Sequence, residues 1–200
     1  MKKLSAIVMA ALLASSACMA QTLYVHSNDG NVNLRTAPSK TAAKAGTLAK
    51  AALLPCVEEL DGWYRVINDG KEAYVSQEVA STCDAIIPEE MFGKEITSSE
   101  PLDRIRFQGS LLIEPIDATH ALITTTWMRE NLPAETTCFV ADRKDGTLVA
   151  THAAGTWVDA TSPLAQIMEE MSPLDTPLPV GFDEFGNTIY FDGAVYSEYE

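Results

Sequence analysis

The feature that most restricts the fold of this chain is the close spacing of turn signals between residues 22 and 82. Asp61-Gly62 and Asn68-Asp69-Gly70 are sequences that adopt the positive φ of tight hairpins. No helical period of useful length runs through this part, so it predicts a small barrel of short strands. The predicted strands are Thr22–Val25, Val32–Arg35, Gly46–Leu48, Leu53–Leu60, Trp63–Ile67 and Ala73–Val75.

Four elements of this part resemble the bacterial Src-homology-3 family. Val32-Asn33-Leu34-Arg35-Thr36-Ala37-Pro38-Ser39 is similar to the opening motif of the family, and Gly46-Thr47-Leu48 and Asp61-Gly62-Trp63-Tyr64-Arg65-Val66 follow in the family's order. Gly70-Lys71-Glu72-Ala73-Tyr74-Val75-Ser76 resembles the closing strand, although Ala73 stands where the family often has glycine. The resemblance covers residues 22–82 of the 200.

This resemblance implies a non-catalytic binding or adaptor protein of the bacterial cell envelope. Bacterial members are commonly found beside cell-wall hydrolases or in envelope proteins, and they are proposed to bind peptidoglycan peptides or protein partners. Aromatic grooves bind peptides in the eukaryotic relatives, and the planar guanidinium of an arginine offers several donors. The predicted ligand-binding residues are therefore Tyr24, Trp63, Tyr64 and Tyr74, with Arg35 as a polar anchor. The aromatic residues can equally belong to the core of the barrel.

The second half, residues 91–200, predicts a separate β-rich domain, a barrel or a sandwich, with one short helix. Strands are expected on both sides of a turn at Gln108-Gly109-Ser110, and a hairpin is expected around Asp145-Gly146. Ser162–Met171 predicts the helix, because serine can cap it, proline suits its first turn and its apolar residues share one face. Residues 83–90 contain a proline and acids and predict a linker.

The first twenty residues have the order of a secretory signal peptide. Two lysines precede the apolar run Leu4–Ala14, and small residues lead to a cleavage site after Ala20. We therefore expect an exported protein, periplasmic or secreted. The alternative is a lipid anchor through Cys18. The apolar run is too short to span a bilayer comfortably, and no transmembrane segment is predicted.

The charge narrows the choice of partners. The formal net charge is -14, so the surface repels nucleic-acid phosphates and anionic lipid headgroups. We therefore expect a peptidoglycan peptide or an envelope protein as the partner, and no nucleic acid.

Three cysteines remain after the predicted cleavage, namely Cys56, Cys83 and Cys138. Export places them in an oxidising compartment. Cys56 and Cys83 are predicted to form a disulfide, with two separately buried thiols as the alternative. Cys138 lies in an apolar sequence and is expected to be a buried strand residue.

Two alternatives place the function in the second half. A cysteine cell-wall peptidase would pair Cys138 with His152, but Cys138 lacks the helix start that lowers the pKa of a thiol. No catalytic residue is therefore predicted, and the scattered histidines predict neither a metal nor another cofactor. The other alternative is a β-barrel that encloses a small apolar ligand between Trp127, Phe139 and Trp157.

Overall fold

The computed structural model describes residues 23–28, 30–102, 105–129, 133–154, 168–185 and 187–197. These residues are almost entirely β, as predicted. The predicted signal peptide, most of the predicted helix and Trp157 lie outside the described residues. The strands are β1 (Leu23–Ser27), β2 (Val32–Arg35), β3 (Lys44–Leu48), β4 (Leu54–Leu60), β5 (Trp63–Asn68), β6 (Lys71–Ser76), β7 (Ala80–Asp84), β8 (Glu95–Leu102), β9 (Ile105–Pro115), β10 (His120–Arg129), β11 (Glu135–Lys144), β12 (Thr147–Ala153), β13 (Ser172–Pro179), β14 (Gly181–Asp183), β15 (Thr188–Phe191) and β16 (Ala194–Ser197).

The strands form one hydrogen-bonded order, β13-β12-β11-β10-β9-β8-β16-β15-β14-β7-β1-β4-β5-β6-β2-β3. This order is open at both ends. In the first half, an isolated parallel bridge between Ser27 and Lys50 brings the chain after β3 back to β1. The first half therefore curls around its own core, although no ladder among the described strands closes it.

Strand alternation builds the core of the first half. Val32 and Leu34 of β2, Ala73 and Val75 of β6 and Val66 of β5 are buried and belong to one cluster. Because successive side chains of a strand point to opposite faces, the residues between them lie on the outer face. This places part of the predicted binding set on the outside of the barrel.

The sheet of the second half also curls. Its two ends are β13 and β14, which are separated in the chain only by Val180. Buried side chains from all of these strands except β13 fill one core, so the sheet bends round a single interior. Three prolines of β13 lie at the free end of the strand order. An edge strand tolerates proline, which has no N–H donor, and the missing donors also hinder pairing with a further strand.

One predicted turn is wrong. Gln108-Gly109-Ser110 does not separate two strands but lies inside the continuous strand β9. Gly109 lies opposite Trp127 of β10, and a Cβ on Gly109 would come within 2.7 Å of the indole ring. The glycine is there to make room for this ring, not to turn the chain. The predicted hairpin is present, since Asp145 and Gly146 connect β11 to β12 with φ of 52° and 84°.

The residues predicted to be a linker are packed. Cys83 and Asp84 belong to β7, which pairs with β1 of the first half and with β14 of the second. Ala85 and Ile87 are buried at 0% and 3% exposure, and Ile87 joins the core of the second half. The two halves are therefore connected by hydrogen bonds and by buried side chains at this junction.

The predicted disulfide is wrong, because Cys56, Cys83 and Cys138 are all free. Tyr24 of β1 pairs with Cys83 on one side and with Pro55 of β4 on the other. Cys56 and Cys83 are thus two strand spacings apart, about 9–10 Å, which is beyond the reach of a disulfide. They also belong to different clusters: Cys56 packs on the core of the first half and Cys83 packs at the junction.

Candidate functional site

A groove of about 390 Å³ lies on the outer face of the first half. Strand register explains its walls, because Trp63 of β5 lies opposite Ser76 of β6, and Arg35 of β2 lies opposite Tyr74 of β6. Its lining includes Asn33, Arg35, Lys40, Trp63, Ser76 and Glu78. The groove therefore combines one indole surface with charged and hydrogen-bonding groups.

Two polar contacts hold the walls of the groove. Arg35 Nη1 donates to the carbonyl of Ala42 at 3.0 Å and fixes the loop between β2 and β3. In the same loop, Lys40 Nζ donates to both carboxylate oxygens of Glu78, at 2.8 and 2.7 Å. The Lys40 and Glu78 side chains are 70% and 66% exposed, and an exposed pair of this kind contributes about 1 kcal/mol or less to stability. A charged ligand can therefore replace the ion pair at little cost.

The structure brings two of the five predicted binding residues together, since Arg35 and Trp63 line the same groove. Tyr74 lies beside Arg35 and opposite Arg65 on the outer face of the sheet, but it is not part of the groove lining. It extends the same face beyond the groove.

The other two predicted residues lie elsewhere. Tyr64 packs against the core of the first half, and burial, with a contribution from Glu59, raises the pKa of its phenol. Tyr24 is 8% exposed and packs with Cys83 and Leu53 at the junction of the two halves. Burial, assisted by Cys83, also raises the pKa of Tyr24. Neither side chain is brought next to Trp63 in the groove.

Sequence reasoning missed Lys40 and Glu78, because it searched for aromatic residues. The sequence does contain a signal for the face on which Trp63 lies, since a period of two along β5 separates Trp63 and Arg65 from Tyr64 and Val66. The ion pair gave no such signal, because its two residues are 38 positions apart in the chain.

A buried histidine marks the junction of the two halves. His26 of β1 is 6% exposed and stacks on Tyr190 of β15, with ring centroids 4.2 Å apart and planes at 26°. Its Nδ1 donates to the carbonyl of Ser27 at 3.3 Å, and its Nε2 has no hydrogen-bond partner among the described residues. Burial lowers the pKa of His26, although Ser27 and the nearby Asp183 oppose this effect.

The lowered pKa makes the stability of the protein depend on pH. The unfolded chain binds a proton below about pH 6.5, whereas the folded protein resists it, so stability is complete above this pH and declines as the pH falls through it. The loss is at most about 1.4 kcal/mol for each pH unit. We expect His26→Phe to keep the stacking on Tyr190. The free energy of unfolding, measured with urea, should then change less between pH 5 and 7.5 in this variant than in the wild type.

A matched control is His152→Gln, because His152 is exposed on β12. This variant should keep the decline of the wild-type protein at low pH. A profile of His26→Phe that declines as steeply as the wild type would show that another group causes the effect.

The peptidase alternative lacks an activated thiol. Cys138 is fully buried, its Sγ lies 3.9 Å from Thr124 Oγ1, and burial raises the pKa of its thiol. A catalytic cysteine needs the opposite shift. The Cys138 carbonyl accepts a hydrogen bond from the amide of Ala154, which follows β12, whereas His152 lies opposite Val140. These contacts give the peptidase alternative no support.

The proposed ligand cavity inside the second half also lacks support. Phe139 packs edge-on against Phe191 at 5.0 Å, and Trp127 packs against Tyr196 at 5.9 Å. Both side chains thus fill the interior instead of lining a space. Trp157 lies outside the described residues.

The curled first half is a small β-sheet module with an indole-lined groove on its outer face. Residues 30–81 match the family model described as the bacterial SH3 domain, which confirms the predicted resemblance. No curated protein and no solved structure was found to match the chain. Within the described part of the chain, no helix has the length and apolar character needed to cross a membrane.

Proposed function

We propose that the protein is a non-catalytic binding or adaptor protein of the bacterial cell envelope. Its bacterial SH3 domain binds a short peptide in the groove lined by Arg35 and Trp63. The peptide is a peptidoglycan stem or a segment of an envelope protein. The observation that carries the proposal is the position of this groove within the segment that matches the bacterial SH3 domain.

The chemistry of the groove supports a peptide ligand. Trp63 offers an apolar surface on which a side chain can pack, and Asn33 and Ser76 offer hydrogen-bonding groups for a backbone. The Lys40–Glu78 pair supplies one charge of each sign at the surface. Peptides of the cell wall carry both carboxylate and amino groups, so either member of the pair has a complementary group to bind.

The proposed location rests on two supports. The first twenty residues have the pattern of a signal peptide, and bacterial SH3 domains are often found in exported or envelope proteins. The export of this chain and a location in the periplasm or outside the cell remain part of the proposal, as does the alternative anchor at Cys18.

The proposal is tested by sedimentation of the mature protein with insoluble peptidoglycan. We expect Trp63→Ala to weaken retention by about tenfold or more, because a tryptophan at the centre of a binding site often contributes most of the affinity. Lys40→Ala changes an exposed residue, so it should fold normally, and it should weaken retention by a smaller factor. Phe185→Ala is the matched aromatic control, since Phe185 is 91% exposed in the second half.

Each outcome has a clear meaning. Retention that is lost in Trp63→Ala and kept in Phe185→Ala supports a wall peptide in this groove. Equal retention of both variants contradicts the assignment of the groove. If the wild-type protein is not retained at all, the wall ligand is wrong, and the same variants are then compared for partners cross-linked in envelope extracts.

A further inference from the structure

A second cavity, of about 460 Å³, lies on the outer face of β10, β11 and β12. It is separate from the core of the second half, because its residues belong to the opposite face of these strands. His120 of β10 and Asp142 of β11 lie directly opposite each other in the ladder. His152 of β12 lines the same cavity. The groove of the SH3 domain shares no residue with it.

The orientation of His120 is fixed by Asp117. The Asp117 carboxylate accepts hydrogen bonds from the Thr119 backbone amide at 2.7 Å, the Thr119 hydroxyl at 2.9 Å and His120 Nδ1 at 3.0 Å. These bonds, led by that from the Thr119 amide, hold the pKa of Asp117 below its ordinary value. An ionised carboxylate can only accept, so Nδ1 carries a proton in either form of the ring, and Nε2 is an acceptor in the neutral imidazole.

In the neutral ring, His120 Nε2 faces a second acceptor, the carboxylate of Asp142. His120 Nε2 lies 3.9 Å from Asp142 Oδ1, which is too long for a hydrogen bond between them. A donor placed between the two atoms can reach each of them at about 2.9 Å. An ammonium group suits this position, because it has three donors and no acceptor, whereas a hydroxyl has a single donor.

The remainder of the cavity is suited to an aliphatic chain. Ile116, Val140, Met168 and Met171 supply its apolar lining, and thioether side chains adapt to different shapes. Its volume is within the range of small-molecule sites, about 300–1,000 Å³. A metal ion is disfavoured, because the described residues contain no group of three His, Cys, Asp or Glu side chains that could hold one.

We infer that this cavity binds a small primary amine, with the ammonium group between His120 and Asp142 and the aliphatic chain against the apolar lining. The net charge of -14 favours the approach of a cation over that of an anion. This site is independent of the peptide groove, so the failure of one proposal leaves the other unaffected.

The test uses three probes of the same length, n-hexylammonium, n-hexanol and hexanoate, titrated into the mature protein and followed by NMR. We expect saturable binding of n-hexylammonium that shifts the ring signals of His120, with at least tenfold weaker binding of the two other probes. Asp142→Asn should weaken the binding of n-hexylammonium by at least tenfold, and Asp117→Asn should also weaken it. Asp145→Asn is the matched control, because it removes the same charge at a turn outside the cavity lining.

Three results would overturn the inference. Equal binding of n-hexanol and n-hexylammonium would show a site without charge selectivity. An unchanged affinity in Asp142→Asn, with the fold confirmed by circular dichroism, would remove the ammonium position. Absence of saturable amine binding at millimolar concentration would also remove the ammonium position. If Zn²⁺ then binds to the wild-type protein and this binding is lost in Asp142→Asn, the cavity would be reassigned to a metal ion.

Discussion

Phe191→Ala is expected to lower the free energy of unfolding by about 3–5 kcal/mol. Phe191 is fully buried in the core of the second half, and its ring packs at 89° against that of Phe139. Truncation removes this contact and leaves a cavity that rigid neighbouring strands cannot fill. Urea unfolding followed by circular dichroism measures the loss, and Phe185→Ala is the control, because its side chain is 91% exposed and should change stability by less than about 0.5 kcal/mol.

The same variant tests whether the interior is filled. An apolar cavity of sufficient size can bind benzene, so benzene should stabilise Phe191→Ala and leave the wild-type protein unchanged. Stabilisation of the wild-type protein by benzene would show an existing internal space, and it would revive the ligand-carrying alternative.

Gly181→Ala is expected to destabilise the junction of the two halves by about 1–3 kcal/mol, the usual cost of overpacking. A Cβ at this position would lie 2.6 Å from Cys83 Sγ and 3.0 Å from Leu53 Cδ1. Cys83 is buried in β7, so it cannot move away into solvent. The urea midpoint should fall without a change in the overall β content.

The clash with the sulfur can be isolated by a double-mutant cycle. Cys83→Ala removes the closest atom, so Gly181→Ala should cost less by about 1 kcal/mol in that background than in the wild type. Additive effects of the two substitutions would show that contact with Cys83 does not cause the destabilisation, and that contact with Leu53 is the alternative cause.

The five predicted binding residues lie in different surroundings in the structure. Arg35 and Trp63 line one groove, and both belong to motifs that predict a strand and a turn of the bacterial SH3 domain. Tyr24 and Tyr64 were grouped with them by residue type alone, although the alternation of β5 and the pairing of β1 with β7 place them in other surroundings. An aromatic residue contributes to a core or to a groove according to what packs against it, and that depends on strands distant in sequence.

The two glycines predicted to form turns, Gly109 and Gly146, also differ in the structure. Asp145-Gly146 was read correctly as a turn, because the positive φ of its residues is a local property. Gly109 was read as a turn in the same way, but its cause is the indole of Trp127 on a neighbouring strand. A close approach between strands leaves no local trace that distinguishes it from a turn.

The β class, most of the short strands and turns of the first half, and the resemblance to the bacterial SH3 domain can all be predicted from the sequence, because alternation and turn chemistry act over a few residues. Three other features follow from the tertiary structure: Cys56 and Cys83 stay apart, residues 83–90 are packed between the halves, and His26 is buried on Tyr190. It also placed His120 opposite Asp142. These outcomes depend on which strands become neighbours, and strand order is set by packing of the whole sheet and not by any short stretch of the chain.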